Sequence, residues 1–128
     1  MQQNSVTVDF SHIERLLDMK SNTSVEKGCI VWVGTTINCR GVTYGRVKTR
    51  LCKTGPCKNY YVHRLAYMMH THTYITPHEE ISHLCGNGLC LNGDHLSREP
   101  HSINCERRFC HAHNSCNGHC DYPDCILF

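Results

Sequence analysis

The sequence predicts an α+β fold with an antiparallel sheet, and three observations support this. One stretch near the N-terminus carries the apolar stripe of an amphipathic helix, and a basic stretch further along alternates as a β-strand does. The third observation is the presence of 11 cysteines and 11 histidines among 128 residues. A chain of this length can bury one modest core, so we expect a single domain over residues 1–128.

The composition limits the range of functions. Charged residues make up 19% and apolar residues 40% of the chain, as in globular domains. The chain has only 3 Phe and 1 Trp, so its aromatic core is expected to be small. We therefore expect something besides apolar burial to stabilise the fold. The formal net charge of +2 gives no general electrostatic case for nucleic-acid binding, which must rest on local basic clusters. No apolar run is long enough for a membrane span.

The first predicted element is an amphipathic helix from Asp9 to Lys20, with its apolar residues on one stripe. We assign residues 1–27 to this helix and a polar linker. We assign residues 28–80 to a sheet and a helix that backs it, starting with a strand over Cys29–Val33.

A second strand is predicted from Val42 to Leu51, where the residue types alternate. One face carries Tyr44, Arg46, Lys48 and Arg50. Taken alone, this pattern fits an exposed strand whose charges are solvated. After a turn at Lys53–Pro56, the segment Tyr61–Met69 has one apolar side and is predicted to be the backing helix.

The cysteines are expected to bind zinc rather than to form disulfides. Disulfides require an oxidising compartment and normally a secretory signal, but residues Met1–Ser5 have neither a basic start nor an apolar run. Eleven is also an odd number, and thiolates interleaved with imidazoles are the ligands that Zn²⁺ prefers. We therefore expect an intracellular protein, in the nucleus or cytoplasm, that is not secreted.

The most informative pattern runs from Ile81 to Leu96. Within it Cys85, Cys90 and His95 follow one another at five-residue intervals, and a tight loop could bring them to one Zn²⁺. A fourth ligand has to come from elsewhere in the chain. A site closed by four protein ligands has no open position for a substrate, so this zinc is expected to be structural.

This stretch resembles the core of HNH-type nucleases with a zinc-bound loop, and especially the His-Cys box homing endonucleases. The matching residues are Ser82-His83-Leu84-Cys85, Cys90 and Asn92-Gly93-Asp94-His95-Leu96. Upstream, three segments follow in the same order: Cys29–Gly34, Tyr44–Arg46 and Val62–Tyr67. The resemblance implies a ββα-metal (His-Me finger) core over residues 81–109 and a second zinc loop over residues 110–128. Gly93 stands where the family has proline, which leaves the geometry of that turn open.

The resemblance also implies the catalytic residues. His83 matches the general base that activates a water, and Asn104 matches the asparagine that binds one catalytic Mg²⁺ or another divalent cation. The implied activity is a metal-dependent DNA endonuclease that hydrolyses phosphodiester bonds. On the residues alone, His83 could instead be a further zinc ligand or a buried core histidine.

Two structural zinc ions are implied in addition. The fourth ligand of the first site is assigned to Cys29, with Cys39 as the alternative. The second site is assigned to Cys110, Cys116, His119 and Cys125. Competitors for that second site are Cys120, His111 and His113. The remaining cysteines are expected to be thiols in a reducing compartment: Cys52, Cys57 and Cys105.

The resemblance implies that the basic strand contacts DNA, because nucleases of this group place a β-sheet against duplex DNA and an arginine near the cleaved phosphate. That arginine is assigned to Arg46 or Arg50. The expected DNA-contacting residues are Tyr44, Arg46, Lys48, Arg50, Lys53, Lys58 and Arg64. The homing enzymes dimerise through a long C-terminal tail, so a sequence that stops at Phe128 is expected to be a monomer or a homodimer without tail swapping.

Two other functions fit the same residues. One is a zinc-stabilised DNA-binding module that has lost catalysis, and the other is a zinc domain that binds proteins. The presence of both His83 and Asn104 favours the enzyme, since a module without catalysis has no need of the pair.

Overall fold

A computed structural model describes residues 7–23 and 28–127 of the chain. Within these ranges the chain forms three α-helices and seven β-strands, which confirms the predicted α+β class. In order they are α1 Phe10–Met19, β1 Ser21–Thr23, β2 Ile30–Trp32, β3 Thr36–Cys39, β4 Val42–Arg50, β5 Cys57–Tyr61, α2 Val62–Thr71, β6 Glu80–His83, β7 Leu96–Glu99 and α3 His101–His113. Residues 1–6 and 24–27 of the predicted helix and linker lie outside the described residues.

The predicted N-terminal helix is α1. It begins after Asp9, whose carboxylate accepts a hydrogen bond from the backbone N–H of His12 at 3.3 Å. Its apolar stripe buries Ile13 and Leu17 in the core. The prediction of a polar linker was wrong for Ser21–Thr23, because these residues form an antiparallel strand that pairs with β2. No alternation of residue types indicates such a strand.

The predicted basic strand is β4, the centre of an antiparallel sheet in the order β3-β4-β5. Arg46 lies opposite Tyr61 and Lys48 lies opposite Asn59, so these four side chains share one face of the sheet. The predicted backing helix is α2, which packs against β4, β5 and α1. It buries an apolar side that includes Val62 and Leu65, both at 0% exposure.

The last third of the described chain is a ββα unit, as predicted. Strands β6 and β7 form an antiparallel pair in which His83 lies opposite Leu96. The loop between them, residues 84–95, carries Cys85, Cys90 and His95. Helix α3 follows β7 directly after Pro100 and packs on β6. In this unit the C-terminal end of β6, the loop that follows it and one side of α3 therefore lie close together.

Trp32 and the buried residues of α1, α2, β6 and β7 share one apolar core. A second, smaller cluster consists of Cys29, Cys85 and Cys90. None of the helices in the described ranges is long and apolar enough to cross a membrane.

Candidate active site and metal centres

The first metal centre joins the start of β2 to the loop between β6 and β7. The potential ligand atoms of Cys29, Cys85, Cys90 and His95 all lie within 4.8 Å of one another, and all four residues are buried. The loop is attached to β2 by a bridge between Val31 and Cys90. Cys39, the alternative fourth ligand, lies instead at the end of β3, opposite Val42.

The separations within this first cluster fit tetrahedral zinc. Zn–S bonds of about 2.3 Å and Zn–N bonds of about 2.0–2.1 Å require roughly 3.8 Å between two sulfurs and roughly 3.5 Å between sulfur and nitrogen. The Sγ atoms of Cys29 and Cys85 are 3.7 Å apart. Nδ1 of His95 lies 3.6 Å from Sγ of Cys29 and 3.4 Å from Sγ of Cys90. No disulfide joins the cysteines of the described ranges.

The chemistry of these thiols also calls for a cation. A hydrogen bond with Cys90 and burial raise the pKa of Cys85 far above its ordinary value. Three crowded, buried sulfurs cannot all ionise without a compensating positive charge. A divalent ion bound by the cluster would supply that charge and would favour the thiolate form of its ligands.

Asn92 holds the loop in place. Its Nδ2 donates to the backbone oxygen of Gly28 at 2.6 Å, and its Oδ1 accepts from the N–H of Asp94 at 3.0 Å. Gly93, where the family has proline, is required by close packing, because a Cβ there would lie 2.1 Å from the ring of His70. The residues Gly93–His95 form a short 3₁₀ turn that ends on the candidate ligand.

The second metal centre lies at the C-terminal end of α3, where Cys110 is part of the helix. The potential ligand atoms of Cys110, Cys116, His119 and Cys125 lie within 4.8 Å of one another. Nε2 of His119 is 3.6, 3.5 and 3.4 Å from the three sulfurs, which again fits tetrahedral zinc.

The competitors for this second cluster are engaged elsewhere. Nε2 of His111 donates to the backbone oxygen of Leu84 at 2.9 Å, and Nδ1 of His113 donates to that of Phe109 at 2.9 Å. Sγ of Cys120 lies 3.7 Å from the carboxylate of Asp121. The contact of His111 is close, since a Cβ on Gly86 would lie 2.8 Å from its ring. His111 thereby ties α3 to the loop of the first cluster.

Two residues of α3 support the second cluster. Glu106 accepts a hydrogen bond from Nδ1 of His119 at 2.7 Å, which leaves Nε2 for a metal. Arg107, 2% exposed, forms a buried ion pair with Glu99 of β7. It also donates to Sγ of Cys125 at 3.3 Å and to the backbone oxygen of Pro123 at 2.8 Å. Arg107 thus connects Cys125 of the second cluster to Glu99 of β7.

The candidate active site is a cleft of about 310 Å³ lined by His83 and Asn104. The two residues that the resemblance pairs therefore border the same cavity. The side chains of Tyr44, Arg40 and Arg108 line it as well. Arg108 follows Asn104 by one helical turn, and its positive charge opposes the rise that burial causes in the pKa of Tyr44.

His83 is a neutral imidazole at the edge of this cleft. Burial lowers its pKa to about 4, although the backbone of Cys90 acts in the opposite direction. Because pH 7 lies above that pKa, the ring is unprotonated there and can accept a proton. Its Nε2 is buried and has no hydrogen-bond partner among the described residues. The ring packs on that of His63, with centroids 4.6 Å apart, and belongs to neither metal cluster.

The side chain of Asn104 is hydrogen-bonded to an acidic residue, Glu80. Its Nδ2 donates to Oε1 of Glu80 at 2.9 Å. Sequence reasoning missed both Glu80 and Arg108. The four-residue spacing from Asn104 on a predicted helix could have indicated Arg108. The contact with Glu80 depends on how α3 packs against β6, which no local pattern encodes.

The predicted DNA-contacting residues occupy several surfaces. Arg46 and Lys48 line a shallow depression together with Lys20, next to Tyr44 on the same face of β4. Arg50 pairs with Asp9 at 3.8 Å. Lys53 lies in the predicted turn, and Lys58 faces the other side of the sheet, since it pairs with Thr49. The guanidinium of Arg64 donates to the backbone oxygens of Thr76 and Glu79.

Comparison with known proteins identifies the family. A family model described as the zinc-binding loop region of homing endonuclease matches residues 28–126. Searches of curated proteins and of solved structures found no significant match. The matched range includes both cysteine-histidine clusters, the cleft and the whole ββα unit. The chain therefore belongs to the homing-endonuclease zinc-binding-loop family of His-Me nucleases.

Proposed function

We propose that the protein is a metal-dependent endonuclease that hydrolyses phosphodiester bonds of duplex DNA. The observation that carries the proposal is the shared cleft, in which a neutral histidine and an asparagine from one ββα unit lie beside an arginine. Membership of a homing-endonuclease family supports the choice of reaction and substrate.

His83 serves as the general base. The oxygen of a water attacks phosphorus, the proton of that water passes to the neutral imidazole, and the bond between phosphorus and the 3′ oxygen breaks. Asn104 offers an amide oxygen, which suits Mg²⁺ or another hard divalent cation that keeps most of its waters. Such a cation would stabilise negative charge on the phosphate and on the leaving oxygen.

The arginines act on the phosphate and the DNA backbone. Arg108, which lines the cleft, is positioned to bind a non-bridging oxygen of the scissile phosphate. Arg46 and Lys48, on the strand that leads away from Tyr44, extend the DNA path, with further contacts from Arg50 and Lys53. Lys58 faces the other side of the sheet and Arg64 donates to backbone oxygens, so both lie off this path. These contacts carry little sequence information, and we expect the affinity to fall as salt rises.

Zinc has a structural role in this proposal. Both clusters supply four protein ligands and therefore leave no position for substrate. A zinc ion held by the first cluster would fix the loop that follows His83, and one held by the second cluster would fix the C-terminal end of the helix that carries Asn104. A zinc protein with further reduced thiols fits a reducing compartment such as the nucleus or cytoplasm.

The test is plasmid nicking in Mg²⁺ by the zinc-loaded parent, His83→Ala and the control His78→Ala, an exposed histidine outside the cleft. Loss of a general base costs roughly 10²- to 10⁴-fold, so His83→Ala should lose nicking while His78→Ala retains it. Equal nicking by His83→Ala would refute the role of the base. DNA binding by a parent that cuts none of several plasmids would favour an inactive DNA-binding module.

A second comparison tests the arginines. Arg108→Ala should lower the single-turnover rate roughly 10- to 100-fold, as expected for a charged hydrogen bond to the phosphate. Arg46→Ala tests the alternative that Arg46, assigned from the family resemblance, binds the scissile phosphate instead of Arg108, which lines the cleft. If Arg46→Ala lowers the rate and Arg108→Ala leaves it unchanged, the assignment of Arg108 is wrong.

A further inference from the structure

Glu80 carries a carboxylate that contacts Asn104, the candidate cation ligand. Its Oε1 accepts a hydrogen bond from Nδ2 of Asn104 at 2.9 Å. Its Oε2 accepts from Nδ1 of His101 at 2.9 Å, and Nε2 of His101 lies 3.3 Å from Sγ of Cys105. The carboxylate therefore receives donors on both oxygens from the first turns of α3.

The contact with Glu80 determines which end of the Asn104 amide faces the cleft. An ionised carboxylate only accepts hydrogen bonds, so the amide nitrogen must point toward Glu80 and the amide oxygen is left for the other side. Asn104 lines the cleft with His83. Glu80 instead borders a separate depression with His78 and His101. Glu80 is thus not among the residues that line the space in which a cation and a phosphate would bind.

We propose that Glu80 is a positioning residue that holds the oxygen of Asn104 toward the catalytic cation. The inference rests on the proposed function, and it adds a residue that neither the sequence pattern nor the family match assigns. Without Glu80 the amide can rotate by half a turn and present its NH₂ group, which repels a cation. The negative charge also polarises the amide and strengthens its oxygen as a ligand.

Glu79 provides a matched control for this role. It has the same charge and stands one position earlier, but its Oε1 accepts from the N–H of Thr76 at 2.8 Å and its Oε2 pairs with Arg98 at 3.0 Å. Removal of Glu79 therefore takes away a nearby negative charge and leaves Asn104 untouched. Glu80→Gln is the conservative variant, because its amide oxygen can still accept from Nδ2 of Asn104.

The experiment measures Mn²⁺ affinity by electron paramagnetic resonance on zinc-loaded protein, together with the Mg²⁺ dependence of nicking. Asn104→Ala identifies the site by abolishing its Mn²⁺ binding. Glu80→Ala should weaken Mn²⁺ binding roughly 10- to 100-fold and shift nicking to higher Mg²⁺, with zinc content and maximal rate retained. Glu80→Gln should recover most of the affinity, and Glu79→Ala should resemble the parent.

The outcomes separate the two proposals. An unchanged Mn²⁺ affinity in Glu80→Ala, or an equal loss in Glu79→Ala, overturns the positioning role, and the proposed nuclease stands if the parent still cuts. A parent that binds Mn²⁺ through Asn104 and does not cut DNA overturns the nuclease, while the affinities still decide the role of Glu80. A parent that binds no Mn²⁺ overturns both.

Discussion

The two cysteine-histidine clusters have the same ligand types and different positions in the fold. The first joins segments that are distant in sequence, since Cys29 and Cys85 are separated by 56 positions, and all four residues are buried. The second is local, with 9 positions between Cys110 and His119, and its three cysteines are partly exposed. The first cluster therefore closes the domain, whereas the second fastens a C-terminal segment onto α3.

Two clusters with the same ligand types therefore stabilise different things, the first the global fold and the second the local order of the C-terminal segment. A link between segments 56 positions apart restricts the chain by roughly 1–2 kcal/mol more than one that closes a loop of 9 positions. The first cluster also adds a buried centre beside the apolar core, which has few large aromatic side chains because the chain has 1 Trp and 3 Phe.

The largest effect is expected from Cys90→Ala, compared with Cys116→Ala. Structural zinc binds zinc-finger peptides with roughly 10–16 kcal/mol, about the whole stability of a small domain, so loss of the first ion should unfold the chain. Cys116→Ala should lose one zinc and keep the cooperative transition. Elemental analysis and circular dichroism measure both, and Cys57→Ala, outside both clusters, is the control. A folded Cys90→Ala protein would remove the contrast between the clusters.

The next effect concerns the link that Arg107 makes between Cys125 of the second cluster and Glu99 of β7. Arg107→Met leaves the carboxylate of Glu99, 0% exposed, without its partner, which costs about 3–5 kcal/mol. It also removes the donor to Cys125. Chemical denaturation should show this loss. The double variant Glu99→Gln/Arg107→Met should be more stable than Arg107→Met alone, and a double variant that is worse would refute the explanation by a buried unpaired charge.

A smaller effect is expected from Glu106→Ala. Glu106 orients the ring of His119, and loss of such a partner weakens metal affinity roughly 10- to 100-fold. Competition with a chromophoric chelator should release one zinc per chain earlier than in the parent, with the other unaffected. Early release of both ions would mean that the clusters are not independent.

The smallest effect is expected from Asn92→Ala, which removes the brace of the first cluster and none of its ligands. Loss of the cap on Asp94 and the bond to Gly28 should cost about 1 kcal/mol each. A modest drop in the midpoint of thermal unfolding, at unchanged zinc content, is the expected result. Loss of zinc from Asn92→Ala would make Asn92 essential to the site.

The same contrast explains which metal ligands could be predicted from the sequence and which could not. The five-residue spacing of Cys85, Cys90 and His95 is local and could be recognised directly, whereas Cys29 reaches the site only through the tertiary pairing of β2 with the loop. The strongly patterned elements α1, β4 and α2 could be predicted from periodicity. β1, β3 and β5 could not, because they are short or polar and depend on their neighbours.

The active-site cleft shows the same division. The resemblance indicated His83 and Asn104, which both line it. It did not indicate Arg108, which faces the cleft from α3, or Glu80, which reaches Asn104 across the contact between β6 and α3. Arg46 and Arg50, chosen from the alternation of β4, lie outside the lining of this cleft, and their role at the phosphate stays a prediction.

The central claim is that two bound zinc ions build the site and a different, exchangeable cation serves the chemistry. The most direct measurement is DNA nicking by protein with two zinc ions per chain, before and after Mg²⁺ is removed by dialysis, with zinc content followed throughout. The account predicts that nicking stops without Mg²⁺ while both zinc ions remain, and returns when Mg²⁺ is restored. Nicking that persists without Mg²⁺, or its absence in the presence of both metals, would contradict it.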